Sequence, residues 1–440
     1  MIREREAKRG VASLIPFGNP GLFNEFVQNL DVAAFETPLM RVGKIIKWEL
    51  FEPKVMAAVT LKAKGPGGRP RFHPMLMLKV LVLQRLHGLA DDATSFQITD
   101  RNSLRAFLGP TPGDAVPDGQ TISDFREALN GSMTEPFGVF LSHLQTRHGL
   151  ALAQEGVMMD ASFAEVPKQR NRRDENALIK EGTVPPTLAE KPKVLAHKDT
   201  DARWTKKNHG THYGYKDRVK VDVKDKLIID AVVTPASVHE SQVIDQLVKE
   251  GDQVVYADSE CKSAEIDAGL EARNVKEQIH EKGTRGHPLS EEQKAGNREK
   301  SKIRSRVEHV FAQMRGSMKA LFERCIGMTR NAACLLMSNL VSNMLRFEQI
   351  QRLKLNPRSV GAAPRNPEHG PRRQASGQGT VWAFAFAERA KMPSWAAQSL
   401  RSISSRNASF NSRSCGPPSK KLSRTRPSAQ ASVPWVKAFR

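Results

Sequence analysis

Two short apolar runs that each end in an aspartate, VMMD at 157–160 and VVYAD at 254–258, constrain this chain more than any other feature. Apolar runs this short, bounded by turn-forming residues, read as buried strands rather than helices. Between them, YGYKDRVKVDVKD at 213–225 alternates in polarity and LIIDAVV follows at 227–233 after a tight turn, which predicts an antiparallel hairpin. Ser237 with Glu240 has capping-box spacing and predicts a helix to about Lys249. Three strands, a helix, a fourth strand and then more helical sequence predict a mixed α/β domain over about 151–354. A polar, basic insertion at about 168–207 lacks clear periodicity and is expected to be a surface loop or partly disordered.

Upstream the sequence reads as helical. GLFNEFVQNL at 21–30 has helical spacing, and the segment 1–65 ends in turn-rich KGPGGRP. Residues 66–150 form a second, all-helical module. Pro74 suits the first turn of a helix through Leu86 that is apolar on nearly all sides and therefore buried. Thr121 with Asp124 predicts a capping box opening the next helix. Residues 355–440, rich in Ser, Arg, Pro, Ala and Asn, are expected to be a disordered tail.

The net charge of +21 points to a polyanionic partner such as nucleic acid. From Leu355 onward there are 15 Lys/Arg against 2 Asp/Glu, a net of +13, which leaves +8 for the first 354 residues. Charge alone is thus a weak argument about the body of the protein. The four cysteines form no CxxC pair and imply a reducing compartment. The N-terminus has no long apolar stretch, and Met75–Gln84, interrupted by Lys79, is too short to span a bilayer. The expectation is a cytoplasmic, nucleoid-associated protein with no membrane partner.

Asp160 and Asp258 close the two apolar runs, and a third acid, Glu308, lies in SKIRSRVEHVFAQMR. There Ile303, Val307, Val310 and Met314 form one helical face, and Ser301, Arg304, Glu308 and Arg315 line an adjacent one. Each acid has an ordinary reading. Aspartate commonly caps the turn after a strand, and Arg304 with Glu308 makes an i,i+4 pair worth about 0.2–0.5 kcal/mol. As a set they have a sharper one. Carboxylates are hard oxygen ligands suited to Mg²⁺ or Mn²⁺, and two such ions about 3.5–4 Å apart can serve both oxygens of a phosphodiester displacement. Arg304 and Arg315 would then meet DNA phosphates. Lys206, Lys207, Lys216, Arg218 and Lys220 read either as DNA contacts or as a solvated sheet face. His209, His212 and His239 read as strand-edge polar groups or phosphate contacts rather than as a zinc site. Tyr213, Tyr215, Tyr256 and Trp204 serve either base stacking or packing.

In this order and context the residues resemble the DDE transposases of bacterial insertion sequences, in the group around insertion sequences four and five. The resemblance spans about 20–352. In the helical part it rests on RFHPMLMLKVLVLQRLHGLADD from Arg71, DRNSLRAFLG from Asp100 and PDGQTISDFREAL from Pro117. In the α/β part it rests on MDAS from Met159, DARWTKK from Asp201, YGYK from Tyr213, VTPASVHES from Val233, YADSE from Tyr256 and RVEHVFAQMR from Arg306. It implies an RNase H-like mixed sheet flanked by helices, with Asp160, Asp258 and Glu308 as catalytic and metal-binding acids for two Mg²⁺ or Mn²⁺ ions. It implies double-stranded DNA as partner, both as terminal inverted repeats and as target, bound by a homodimer or larger assembly. The family's Tyr, Arg, Glu, Lys signature falls on Ser301, Arg304, Glu308 and Arg315, so Ser and Arg stand in two of the four places. Two other readings stay open: a nuclease of the same class that cuts without inserting, and a non-catalytic DNA-binding relic.

Overall fold

The run VMMD is only the first half of its strand. In the computed structural model β1 spans Val157–Glu165, so Asp160 sits within the strand and not at its end. The strand continues because Ala161–Glu165 stay in register with Gly214–Arg218 of the next long strand. The structure describes residues 14–15, 36–59, 70–109, 114–207, 210–283 and 286–355, all within a first compact unit, Met1–Ala362. The expected helix at 21–30, most of the turn-rich stretch before Arg71, His209 and the expected tail beyond 355 fall outside the described residues.

Strand β2 is Arg203–Lys207 and β3 is Gly210–Asp222. β3 runs antiparallel to β1 from Val157↔Asp222 to Glu165↔Gly214. Its opposite edge serves two partners: the first part pairs with β2, and the rest pairs with β4, Ile228–Pro235. The expected hairpin is therefore formed by β3 and β4. β5 (Val254–Tyr256) lies parallel to β1, and β6 (Lys276–Glu277) lies parallel to β5. An antiparallel set extended by two parallel strands on the far side of β1 is the RNase H-like mixed sheet.

Alternation along the strands sends side chains to two cores. Met158, Ala164, Tyr215, Val219 and Val221 face a large core built with the N-terminal helices. Val157, Met159 and Val255 face a smaller one with Ile244, Leu247, Ile266 and Leu270.

The N-terminal helices are α1 (Pro38–Ile45), α2 (Glu52–Ala58), α3 (Pro74–His87), α4 (Asp91–Asp100), α5 (Asn102–Leu108), α6 (Gly119–Ala128) and α7 (Thr134–His148). α3 has the expected limits. His73 Nδ1 accepts the Met75 N–H at 3.2 Å, and Gly88 ends the helix at φ 60°. α6 starts earlier than the capping box at Thr121 predicts. Asp118 is the cap and accepts the Thr121 N–H at 2.7 Å, while Asp124 accepts from the Gln120 amide instead.

The insertion is not a loop. It carries α8 (Arg173–Lys180), two four-residue helices at 186–189 and 192–195, and β2. Its anchor is buried Asp199, which accepts N–H groups of Asp201, Ala202 and Gly327 and the Tyr215 hydroxyl. The Ser237–Glu240 box is likewise absent. A short turn, Glu240–Gln242, starts under the His239 ring, followed by only four helical residues at 244–247. The Glu240 carboxylate turns to Lys207. After α9 (Ala264–Ala272) come α10 (Glu291–Arg304), α11 (Glu308–Arg315) and α12 (Met328–Leu355).

The 28-residue α12 joins the two layers. Asn339 donates to buried Asp217 of β3, and Asn343 both accepts the Ile228 N–H and donates to its carbonyl. Further along α12, Glu348 pairs with Arg41 of α1, and Phe347 packs edge-on against Phe140 of α7. Among the described residues no helix is long and apolar enough to cross a membrane.

Candidate active site

The register of β1 and β5 brings the two aspartates together. Met158 pairs with Tyr256, and each acid lies two residues further along its own strand direction, so both emerge at one end of the sheet. Asp258 leaves β5 and caps the turn Ser259–Cys261, accepting the Ser259 N–H at 2.7 Å. Asp160 stays in β1 and accepts the Ala161 N–H at 2.9 Å.

One guanidinium nitrogen of Arg304 lies 3.5 Å from Asp160 Oδ1 and 3.5 Å from Asp258 Oδ2. The two oxygens are therefore within twice that distance of each other. Arg304 Nε is buried and has no hydrogen-bond partner. The helical face expected to run unbroken from Ser301 to Arg315 is interrupted. α10 ends at Arg304, a tight turn covers Ser305–Val307, and α11 begins at Glu308. Arg304 thus turns inward to the aspartates and does not pair with Glu308.

The aspartates differ in acidity. Burial pushes Asp160 up to about 6, Glu240 and Glu308 add to the rise, and Arg304 and the Ala161 N–H oppose it. Burial acts on Asp258 in the same direction, but Arg304, the Ser259 N–H, Lys207 and His280 outweigh it and hold the group below the usual aspartate value. Glu308 opens α11 with an exposed carboxylate, close enough for its charge to act on Asp160. Arg315, at the other end of α11, donates to Ser162 of β1 at 3.4 Å.

Of the expected basic residues, the structure leaves Lys206 exposed and turns the others inward. Lys207 is 3.3 Å from Glu240 and 3.6 Å from Glu260. Lys216 is buried and donates to the Val238 carbonyl at 3.2 Å. Arg218 is buried and donates to the same carbonyl at 2.7 Å and to Thr234. Lys220 pairs with Asp252 in the interior. Both faces of β3 are covered here, so Lys216, Arg218 and Lys220, on the face opposite Tyr215 and Val219, are buried, and neither expected role, DNA contact or solvated face, describes them. Tyr213 and Tyr215 are core residues, and Trp204 is partly exposed against Tyr213. His212 stacks on Phe163 and meets Glu165 at 2.7 Å, and His239 caps the turn before Ser241.

Two site residues escape a reading of the sequence. His280 lies 3.8 Å from Asp258 through Nδ1 and 3.0 Å from the Ser301 hydroxyl through Nε2. Burial, with Arg304 beside it, lowers its pKa. Ser301, at the signature's tyrosine position, thus supports the ring that backs Asp258. Glu240 is the other, a buried acid that lies within VTPASVHES but reads in sequence only as a helix cap. Elsewhere, Glu323, Cys325 and Cys334 bring their ligating atoms within 4.8 Å of one another, with Arg85 paired to Glu323.

Two carboxylates converging on one cationic nitrogen form a hard-oxygen pocket where positive charge is already favoured. That donor set fits Mg²⁺ or Mn²⁺ and not a soft metal.

Two transposase profiles match the chain. A Transposase DDE domain profile matches residues 152–344, and a Transposase domain (DUF772) profile matches 29–128. Among solved structures, the chain is similar to the piggyBac transposase in a cryo-EM synaptic complex with hairpin DNA, at 10% identity and a TM-score of 0.39, covering 73% of this chain and 77% of that one. Both profiles fall in order along the chain, the first on the mixed sheet and its helices and the second on the helical region before it, so this chain carries a transposase DDE domain behind a second transposase domain.

Proposed function

We propose that the protein cuts DNA at the ends of a mobile element and joins those ends to target DNA. Asp160, Asp258 and Glu308 would hold two divalent ions, Mg²⁺ or Mn²⁺. Such ions, when bound, activate an attacking oxygen and stabilise the leaving one. The observation that carries the reading is the convergence of Asp160 and Asp258 on the same nitrogen of Arg304. Two carboxylates at such a separation repel one another by about 2 kcal/mol at 7 Å and more if closer, at an effective dielectric near 20, so the pair is poised to take up positive charge. His280 and the Ser259 N–H orient Asp258, and the β1 backbone orients Asp160. Exposed Lys206 and the end of α11 with Arg315 are the basic groups best placed for phosphate. Double-stranded DNA, as inverted repeats and as target, is the substrate, and a dimer or larger assembly would hold two ends together.

The test is excision and insertion in vitro, with the element's own flanking DNA around a marker, in Mg²⁺ or Mn²⁺. Joined products that disappear in Asp160→Ala are expected. Cut but unjoined products would indicate a nuclease without insertion. Binding without cutting in either metal would indicate a DNA-binding relic.

A further inference from the structure

Arg304 stands between the two aspartates that would hold a metal ion. One of its nitrogens is 3.5 Å from a carboxylate oxygen of both aspartates, and its side chain is largely covered. A guanidinium stays protonated at any working pH. It cannot be neutralised to admit a second cation and has to move. It stands where α10 passes into a tight helical turn of three residues. Its Nε is a buried donor with no acceptor, so this guanidinium is incompletely satisfied where it stands. A planar fork with a spare donor matches a phosphodiester, which takes two parallel N–H bonds from arginine.

We propose that Arg304 is a resident counter-ion that keeps divalent metal out of the Asp160–Asp258 pair until a DNA phosphate draws it away. Metal loading and DNA binding then promote one another, since each removes what opposes the other. The proposal rests on the metal-dependent reading of the site.

The test is Mn²⁺ binding to the full-length chain, followed by the electron paramagnetic resonance signal of free Mn²⁺, with and without a short duplex. Arg304→Ala and Arg304→Gln are expected to bind Mn²⁺ about tenfold or more tightly than the unmodified chain when no DNA is present. Gln keeps a donor without the charge, and carries the test if the Ala variant does not melt cooperatively. Arg304→Lys keeps the charge and is expected to bind as weakly as the unmodified chain. Duplex DNA should tighten Mn²⁺ binding in the unmodified chain and have little further effect in the neutral variants. Asp160→Asn should abolish the site in every background. If Asp160→Asn removes Mn²⁺ binding but the neutral variants bind no better than the unmodified chain, the gating role is overturned and the metal site stands. If Asp160→Asn leaves Mn²⁺ binding unchanged, the aspartates hold no metal and both readings fall.

Discussion

Met158 and Tyr256 face each other across the parallel pair β1–β5, and this register sets Asp160 beside Asp258. A slip of one residue would turn one of the acids to the opposite face of the sheet. The backbone at this seam should therefore matter to the chemistry as much as the acids do.

Gly156, immediately before β1, has φ +102°, and a Cβ there would meet the Val254 carbonyl at 2.8 Å and the Val254 Cβ at 2.9 Å. Gly156→Ala is expected to destabilise the fold by about 1–3 kcal/mol and to push β5 off β1. DNA cleavage should fall more than the loss of folded protein explains. Thermal melts run beside cleavage assays at a temperature where the variant is fully folded check this.

Asp217 carries a pH dependence of its own. It is 0% exposed, and burial pushes it up to about 7, with the Asn339 amide as opposing donor. A carboxyl raised in the folded state binds its proton more tightly there than in the unfolded chain. Its penalty is absent below about pH 4, grows as pH rises towards 7 and is complete above that. Asp217→Asn should thus stabilise the protein by a few kcal/mol at pH 8 and change little at pH 4. Denaturant melts at both pH values measure the difference; equal effects at the two would remove Asp217 as the source.

Asp199 ties the insertion to the sheet and to the segment before α12. It accepts from Tyr215 at 2.7 Å, from Ala202 at 2.9 Å and from Gly327 at 3.1 Å. Asp199→Ala strands these buried donors and is expected to cost about 2–4 kcal/mol. Tyr215→Phe removes one bond and should cost about 1 kcal/mol. Urea midpoints for the two variants give the comparison.

Lys206 and Lys216 should part company on DNA. Lys206→Ala is expected to weaken binding and reduce the slope of log K against log salt by about one. Lys216→Ala should leave that slope intact and lower thermal stability, because its ammonium bonds the Val238 carbonyl inside the protein. Salt titrations of duplex binding decide it.

What was legible in the sequence follows from period and length. α3 is a long apolar run opened by Pro74 and the β3–β4 hairpin alternates in polarity, so both were readable with nearly correct limits. Asp160 and Asp258 were readable as a pair because each ends an apolar run. The insertion was not, because its order comes from one buried carboxylate bonding to groups distant in sequence. The burial of Lys216 and Arg218 was hidden because polar alternation suggests one solvated face, whereas both faces of β3 are covered. Arg304 reads as part of one helical face with Glu308, but the structure sets a tight turn at Ser305–Val307 between them and pairs Arg304 with the aspartates. His280 stands outside any periodic pattern and reaches Asp258 only through the fold.

The bond between Arg41 and Glu348 closes a loop of 307 residues, and α12 fills the space between α7, α1 and the sheet. During synthesis the first helices leave the ribosome long before the helix they pack on exists. Local helices can form early, but contacts of such sequence separation complete the core last. The nascent transposase therefore stays unfinished, with its centre unassembled, until translation has passed α12. A messenger cut short before that point yields chains that cannot build the site at all.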